Sequence, residues 1–218
     1  MSGNASCRLT ANSSPFRIAA DLPVALQAAA HDYATDAIHA GDEPQCGNDA
    51  NTRRLFAALG EVAMGNAAHR RVAALCVFAL RRVLARQAAQ PVERELQATV
   101  DQVARWIVVG QHGNECRGLA CSSVPQSRGG TTCDENEVLC AAVAALARFC
   151  DSASEADALT ALNGAAVCDN PEARWVRTEM LFDDWVVTIA LPAAWNLSEL
   201  SNERLHPLML ARAMYPPS

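Results

Sequence analysis

Apolar residues recur at helical spacing along most of the chain, and the pattern breaks at a few marked places. Leu26, Ala30, Tyr33, Ala34, Ala37 and Ile38 form one stripe, with Asp21 as an N-cap, Pro23 near the first turn and Gly41 as a stop. This predicts a helix over 22–40, whose other face collects His31, Asp32, Thr35, Asp36 and His39. Leu55, Phe56, Leu59 and Val62 predict a second helix, capped by Asn48 or Asp49 and running to Met64. Asn66 caps a third, running to Gln90. From Val72 to Leu80 this third helix has no polar side chain except the thiol of Cys76. It is expected to be buried on most sides, with arginines at both ends reaching solvent. Pro91 opens a fourth helix to Val109, stopped by Gly110, in which Asp101 and Arg105 are spaced for an i,i+4 ion pair.

The periodicity stops at Gly110 and resumes after Thr132. A helix then runs to Cys150 with Leu139, Val143, Leu146 and Phe149 on one stripe, and Ser152-x-x-Glu155 reads as a capping box for a shorter helix ending at Asn163-Gly164. Residues 174–190 fit a helix through Trp175, Phe182, Val186 and Ile189. They fit equally a small β hairpin turning at Phe182-Asp183-Asp184, and Pro192 ends either one. A last helix is expected over 201–214. The expected fold is mainly α, a multi-helix array, with α+β as the alternative if the hairpin forms. Its parts are a flexible lead (1–20), a four-helix half (21–110), a Cys/Gly-rich loop (111–132) and a looser half (133–218), together one compact domain.

Composition sharpens this picture in three ways. Ala fills 43 of 218 positions and half of the residues are apolar, enough to bury a core, which excludes a disordered chain. No apolar run approaches the roughly 20 residues of a membrane span. No basic-then-apolar leader opens the chain, so a reducing cytoplasm is the expected compartment. The net charge of −6 disfavours nucleic acid as a partner. That charge is unevenly spread: residues 53–90 hold seven Arg (53, 54, 70, 71, 81, 82, 86) and one acid, Glu61. Arg70, Arg71, Arg81, Arg82 and Arg86 are therefore either a docking face for another, acidic protein or partners for the chain's own acidic helices. All 18 basic residues are Arg, with no Lys. High-GC codon usage accounts for this. So does a bacterial protein translocated into a host cell, where a chain without lysine offers no side-chain amine for conjugation.

Three constellations bear on chemistry. His112, Cys116, Cys121 and Cys133 are a soft ligand set suited to zinc, although their spacing lacks the compact Cys-x2-Cys of a knuckle and equally suits disulfides or plain thiols. Asp32, Asp36 and His39 share a helix face with room for a metal, but no second helix supplies matching acids. Cys133 stands at a predicted helix N-terminus in Arg128-Gly129-Gly130-Thr131-Thr132-Cys133-Asp134, where the local field and a nearby Arg lower a thiol pKa and make it nucleophilic. Cys46, in Gln45-Cys46-Gly47, has no base beside it. No phosphate loop, dinucleotide fingerprint or Gly-x-Ser-x-Gly elbow is present.

Residues 128–148 and 173–191 resemble the transglutaminase-like and papain-like cysteine superfamily, where a Gly-rich turn leads to a nucleophilic Cys opening a core helix. The resemblance implies two later strands supplying a His and an Asp. Here Ala173 or Arg174 stands at the His position and Thr188 at the Asp position. The functional expectation is a protein that binds another protein, as a translocated effector or an immunity or inhibitor protein does. The alternatives are a thiol-dependent amide-processing enzyme using Cys133 (a deamidase, transglutaminase or protease), and a zinc-binding helical protein.

Overall fold

The computed structural model describes residues 18–39, 49–87, 91–109, 135–169 and 182–197, and every regular element among them is helical. In chain order they are α1 (Val24–His39), α2 (Asp49–Leu59), α3 (Ala67–Gln87), α4 (Pro91–Val109), α5 (Glu135–Ser152) and α6 (Glu155–Cys168). The last, α7, is a continuous rod in three parts: an α-helical turn at Phe182–Trp185, a π-helical turn at Val186–Ala190 and a second α segment at Leu191–Asn196. The chain is mainly α, as its periodicity predicts. The lead before residue 18, Cys46, the 111–132 loop and the expected 201–214 helix lie outside the described residues. None of the described helices is long and apolar enough to cross a membrane.

The third helix organises the others. Every residue of α3 from Val72 to Leu84 is buried, and α2, α4, α5, α6 and α7 all lie against it. Burying a Leu or Phe side chain stabilises by about 1.5–3 kcal/mol, whereas helix propensities differ by only tenths of a kcal/mol. Leu75, Phe78 and Leu80, all fully buried, therefore hold α3 in place more strongly than its local preferences do. Asn66 caps it as expected: its Oδ1 accepts the His69 N–H at 2.8 Å. On the far side α1 packs against α2 and α7, and the buried Tyr33 hydroxyl is hydrogen-bonded to the Asp183 carboxylate. Burial, and then the charge of Asp183, push that phenol well above its ordinary range.

Four local expectations are corrected and one open alternative is closed. The second helix stops at Leu59 rather than Met64, because Gly60 turns the chain at φ +125°, a conformation open to glycine alone. The capping box does not form: Ser152 ends α5, and Ser154 is the N-cap residue of α6. Gly164 does not end α6, which continues to Cys168. Its role is close approach, since a Cβ there would lie 2.6 Å from Ala142 Cβ on α5. Finally, residues 182–196 are helical, which removes the second strand of the hairpin alternative. Pro192 does not end that helix either. In an α-helix its ring would collide with the carbonyl of Thr188 and its missing N–H would leave that carbonyl unbonded. The π turn immediately before it relaxes the register, with the Leu191 N–H reaching back to the Val186 carbonyl.

The α5–α6 contact gives a direct test. Gly164→Val forces two helices apart at their closest point, an overpacking effect of about 2 kcal/mol that exceeds the gain in helix propensity. Urea denaturation should show a lower midpoint with an unchanged slope. An unchanged midpoint would mean that α5 and α6 are not in close contact.

Candidate functional site

The arginines of α3 form the one candidate cluster that lies mostly within the described residues. Eleven residues make just over three turns, so Arg71 and Arg82 share one face of α3 while Arg70 and Arg81 share the next. Arg71 and Arg82 both meet α7. The Arg71 guanidinium carbon lies 3.8 Å from the Trp195 ring centre, and that of Arg82 lies 5.0 Å from the Trp185 ring centre. Trp195 follows Trp185 along α7 while Arg71 precedes Arg82 along α3, so the two helices run antiparallel, stacked cation on aromatic at both ends. Arg71 Nη1 also donates to the Leu59 carbonyl at 3.3 Å.

Arg82 carries a second load. Its Nε and Nη2 donate to Asp169 Oδ1 and Oδ2 at 3.1 and 3.2 Å, a two-pronged pair between buried groups. Asp169 is the C-cap residue of α6, so this pair ties α6 to α3 beneath the Trp185 ring. On the neighbouring face Arg81 Nη2 donates to Asp101 Oδ1 on α4 at 2.7 Å, and Gln97 Nε2 donates to the same oxygen at 2.9 Å. Asp101 thus serves Arg81, not Arg105 as the i,i+4 spacing suggests. Arg53 pairs with Glu155 at 2.7 Å, and Arg54 lies 3.9 Å from Asp32.

The five candidate docking arginines therefore separate. Arg81 and Arg82 are 6% and 9% exposed, and their head groups are covered by the chain's own acids, leaving no surface to offer a partner. The Arg86 side chain lies outside the described residues. Arg71 is stacked on Trp195. Arg70 differs from the other described candidates in one respect: its Nε, like those of Arg71 and Arg81, donates to nothing, but its partly buried guanidinium also has no acid, carbonyl or ring partner among the described residues. It lies at the start of α3 beside the 60–66 turn, where Glu61, Ala63 and Met64 are exposed.

Other sequence candidates fall differently. Cys133, His112, Cys116 and Cys121 lie outside the described residues, so neither the nucleophile nor the zinc set has a geometry. The thiols inside the array (Cys76, Cys140, Cys150 and Cys168) are buried, and none is in a disulfide. The Cys76 thiol points at the Ala158 carbonyl at 3.7 Å, and burial pushes its pKa up to about 12, opposite to what a nucleophile needs. Among the described residues no three His, Cys, Asp or Glu side chains come together as a metal would require. On α1, His31 Nδ1 lies 3.4 Å from Thr35 Oγ1 and 4.0 Å from its neighbour Asp32, while the Asp36 and His39 side chains are outside the described set.

Sequence reasoning assigned no role to His69, which the structure places at a junction. The ring is fully buried, edge-on to Trp106 of α4 at 5.0 Å and to Phe149 of α5 at 4.7 Å. Its Nδ1 accepts the Gly65 N–H at 2.9 Å, so its Nε2 must carry the hydrogen that reaches the Phe149 carbonyl at 2.8 Å. That carbonyl also accepts the Ala153 N–H, using both lone pairs. Burial pulls the imidazole below its ordinary range, and the charge of Arg70 acts in the same direction. The available signal was position: a histidine three residues after an Asn cap, beside a glycine.

The buried pair supplies a second test. Removing one partner of a buried ion pair costs about 3–5 kcal/mol, because the other charge stays desolvated. Arg82→Met should lower unfolding free energy by that order, and Asp169→Leu in the same chain should recover part of it. Additive losses in a double-mutant cycle would contradict the pairing.

No protein-family model, no curated protein and no solved structure matches the chain.

Proposed function

We propose that this protein works by binding another protein, with Arg70 presented to an acidic group of that partner. One contrast carries this reading. Arg53, Arg54, Arg71, Arg81 and Arg82 each engage an acid, a carbonyl or an indole of the chain itself, whereas the partly buried Arg70 guanidinium engages none of these among the described residues. A guanidinium already stripped of part of its water, with a fixed fork of donors, suits a carboxylate delivered from outside. The exposed Met64 and Glu61 beside it supply an apolar and a polar contact at the same end of α3. The wider role is that of a bacterial effector or immunity protein, supported by the lysine-free composition.

Charge reversal separates this role from a structural one. Arg70→Glu should weaken capture of the partner about tenfold or more, which is about 1.4 kcal/mol, and leave the melting temperature essentially unchanged. Arg82→Glu should instead unfold the protein. Retained capture by folded Arg70→Glu would refute the assignment. The thiol-enzyme alternative has its own readout. Under the binding role Cys133 should react with iodoacetamide near neutral pH no faster than an ordinary thiol, and selective rapid labelling there would favour an enzyme.

A further inference from the structure

We propose that His69 is a pH-sensitive latch: taking a proton at Nδ1 frees the 60–66 turn from the start of α3 while the helical core stays folded. The geometry of the two ring nitrogens carries this. Nε2 donates to the Phe149 carbonyl of α5, and Nδ1 accepts from the Gly65 N–H of the turn. A proton added to the ring must go to Nδ1, and it then faces a donor with a donor. The Phe149 bond survives protonation, because that side of the ring is already a donor. The conflict therefore falls on the turn alone.

The turn is built to yield at that point. Glu61, Ala63, Met64 and Gly65 are exposed, and only Val62 leans on the core. Gly65 sits at φ +73° with no atom within 4 Å of where a Cβ would be, so nothing is packed behind it. Besides the His69 bond, two ties join the α3 cap to this turn: Asn66 Nδ2 donates to the Glu61 carbonyl at 2.8 Å, and the Asn66 N–H donates to the Ala63 carbonyl at 3.0 Å. Segments with few buried apolar contacts open at a fraction of the global free energy. The core side of the ring, against Trp106 and Phe149, has no such freedom.

The charges around the ring favour release over accommodation. Arg70 on α3 acts on the imidazole against protonation. The elements packed around it also carry Glu61 on the turn, Arg105 on α4, and Arg148 and Asp151 on α5. Glu61 and Arg105 are exposed, and Arg148 is paired with Asp157 at 2.9 Å. Burial also lowers the folded-state pKa of the ring below the ordinary 6.5. The sign follows: the closed turn binds the proton less well than the open one, so closure is fully favoured above the ordinary imidazole value and weakens as pH falls below it. The latch stands on these contacts alone and does not require Arg70 to bind a partner.

Native-state amide exchange on the intact chain tests it, with protection factors corrected for intrinsic pH dependence. With an ordinary imidazole in the open state, Gly65 should lose protection progressively as pH falls below about 6.5. The amides of Val77 to Leu80 should keep theirs. In His69→Gln, where an uncharged amide replaces the ring, the pH dependence at Gly65 should disappear. Loss of Gly65 protection only together with the Val77–Leu80 amides would overturn the latch. So would an unchanged pH dependence at Gly65 in folded His69→Gln.

Discussion

Burying α3 from Val72 to Leu84 carries two guanidiniums, Arg81 and Arg82, into the protein, and their need for partners governs where the surrounding helices lie. A buried charge without a partner costs several kcal/mol, as much as a well-filled core position contributes. Asp101 on α4 and Asp169 at the end of α6 meet that need, and the Trp185 ring covers the second pair. Three helices are thereby fixed in register against the last turns of α3. At its other end, Arg71 against Trp195 and His69 between Gly65 and Phe149 do the same for α7, the 60–66 turn and α5. Apolar burial makes α3 the centre, and the polar groups at its ends specify how its neighbours dock.

Much of this architecture is legible in the sequence. The nine-residue apolar stretch Val72–Leu80 predicted a helix covered on most sides, and Asn66 and Pro91 marked the starts of α3 and the following helix correctly. What failed was local chemistry that depends on the third dimension. Gly164 reads as a helix stop because glycine usually is one, yet here the missing Cβ lets α5 and α6 touch. Val186, Val187, Thr188 and Ile189 fit a strand as well as a helix because β-branched residues favour strands, and burial of the helix through Val186 and Val187 decides between the two. Pro192 reads as a terminator because its cost in a regular α-helix is high, and the π turn before it removes the clash.

The candidate site was legible only as a list of arginines. Spacing told which of them share a face of α3 but not which face meets acids. Arg81 and Arg82 found partners 20 and 87 residues away in sequence, separations over which periodicity carries no information. Arg70, on the same face as Arg81, lies where α4 presents Trp106 to the neighbouring His69 instead of a carboxylate. Its open guanidinium and the neutral His69 arise from the same local fact, that the start of α3 is packed with rings and a turn, not with acids.

The dependence of the whole array on α3 is open to one direct measurement, the free energy of amide exchange along Val72–Leu80 near neutral pH. If α3 is enclosed by its neighbours, these amides exchange only when the entire protein unfolds, and their exchange free energy equals that from urea denaturation. Exchange of these amides at a clearly lower free energy than those of α5 and α6 would show that α3 opens on its own. That result would contradict its place as the centre of the fold.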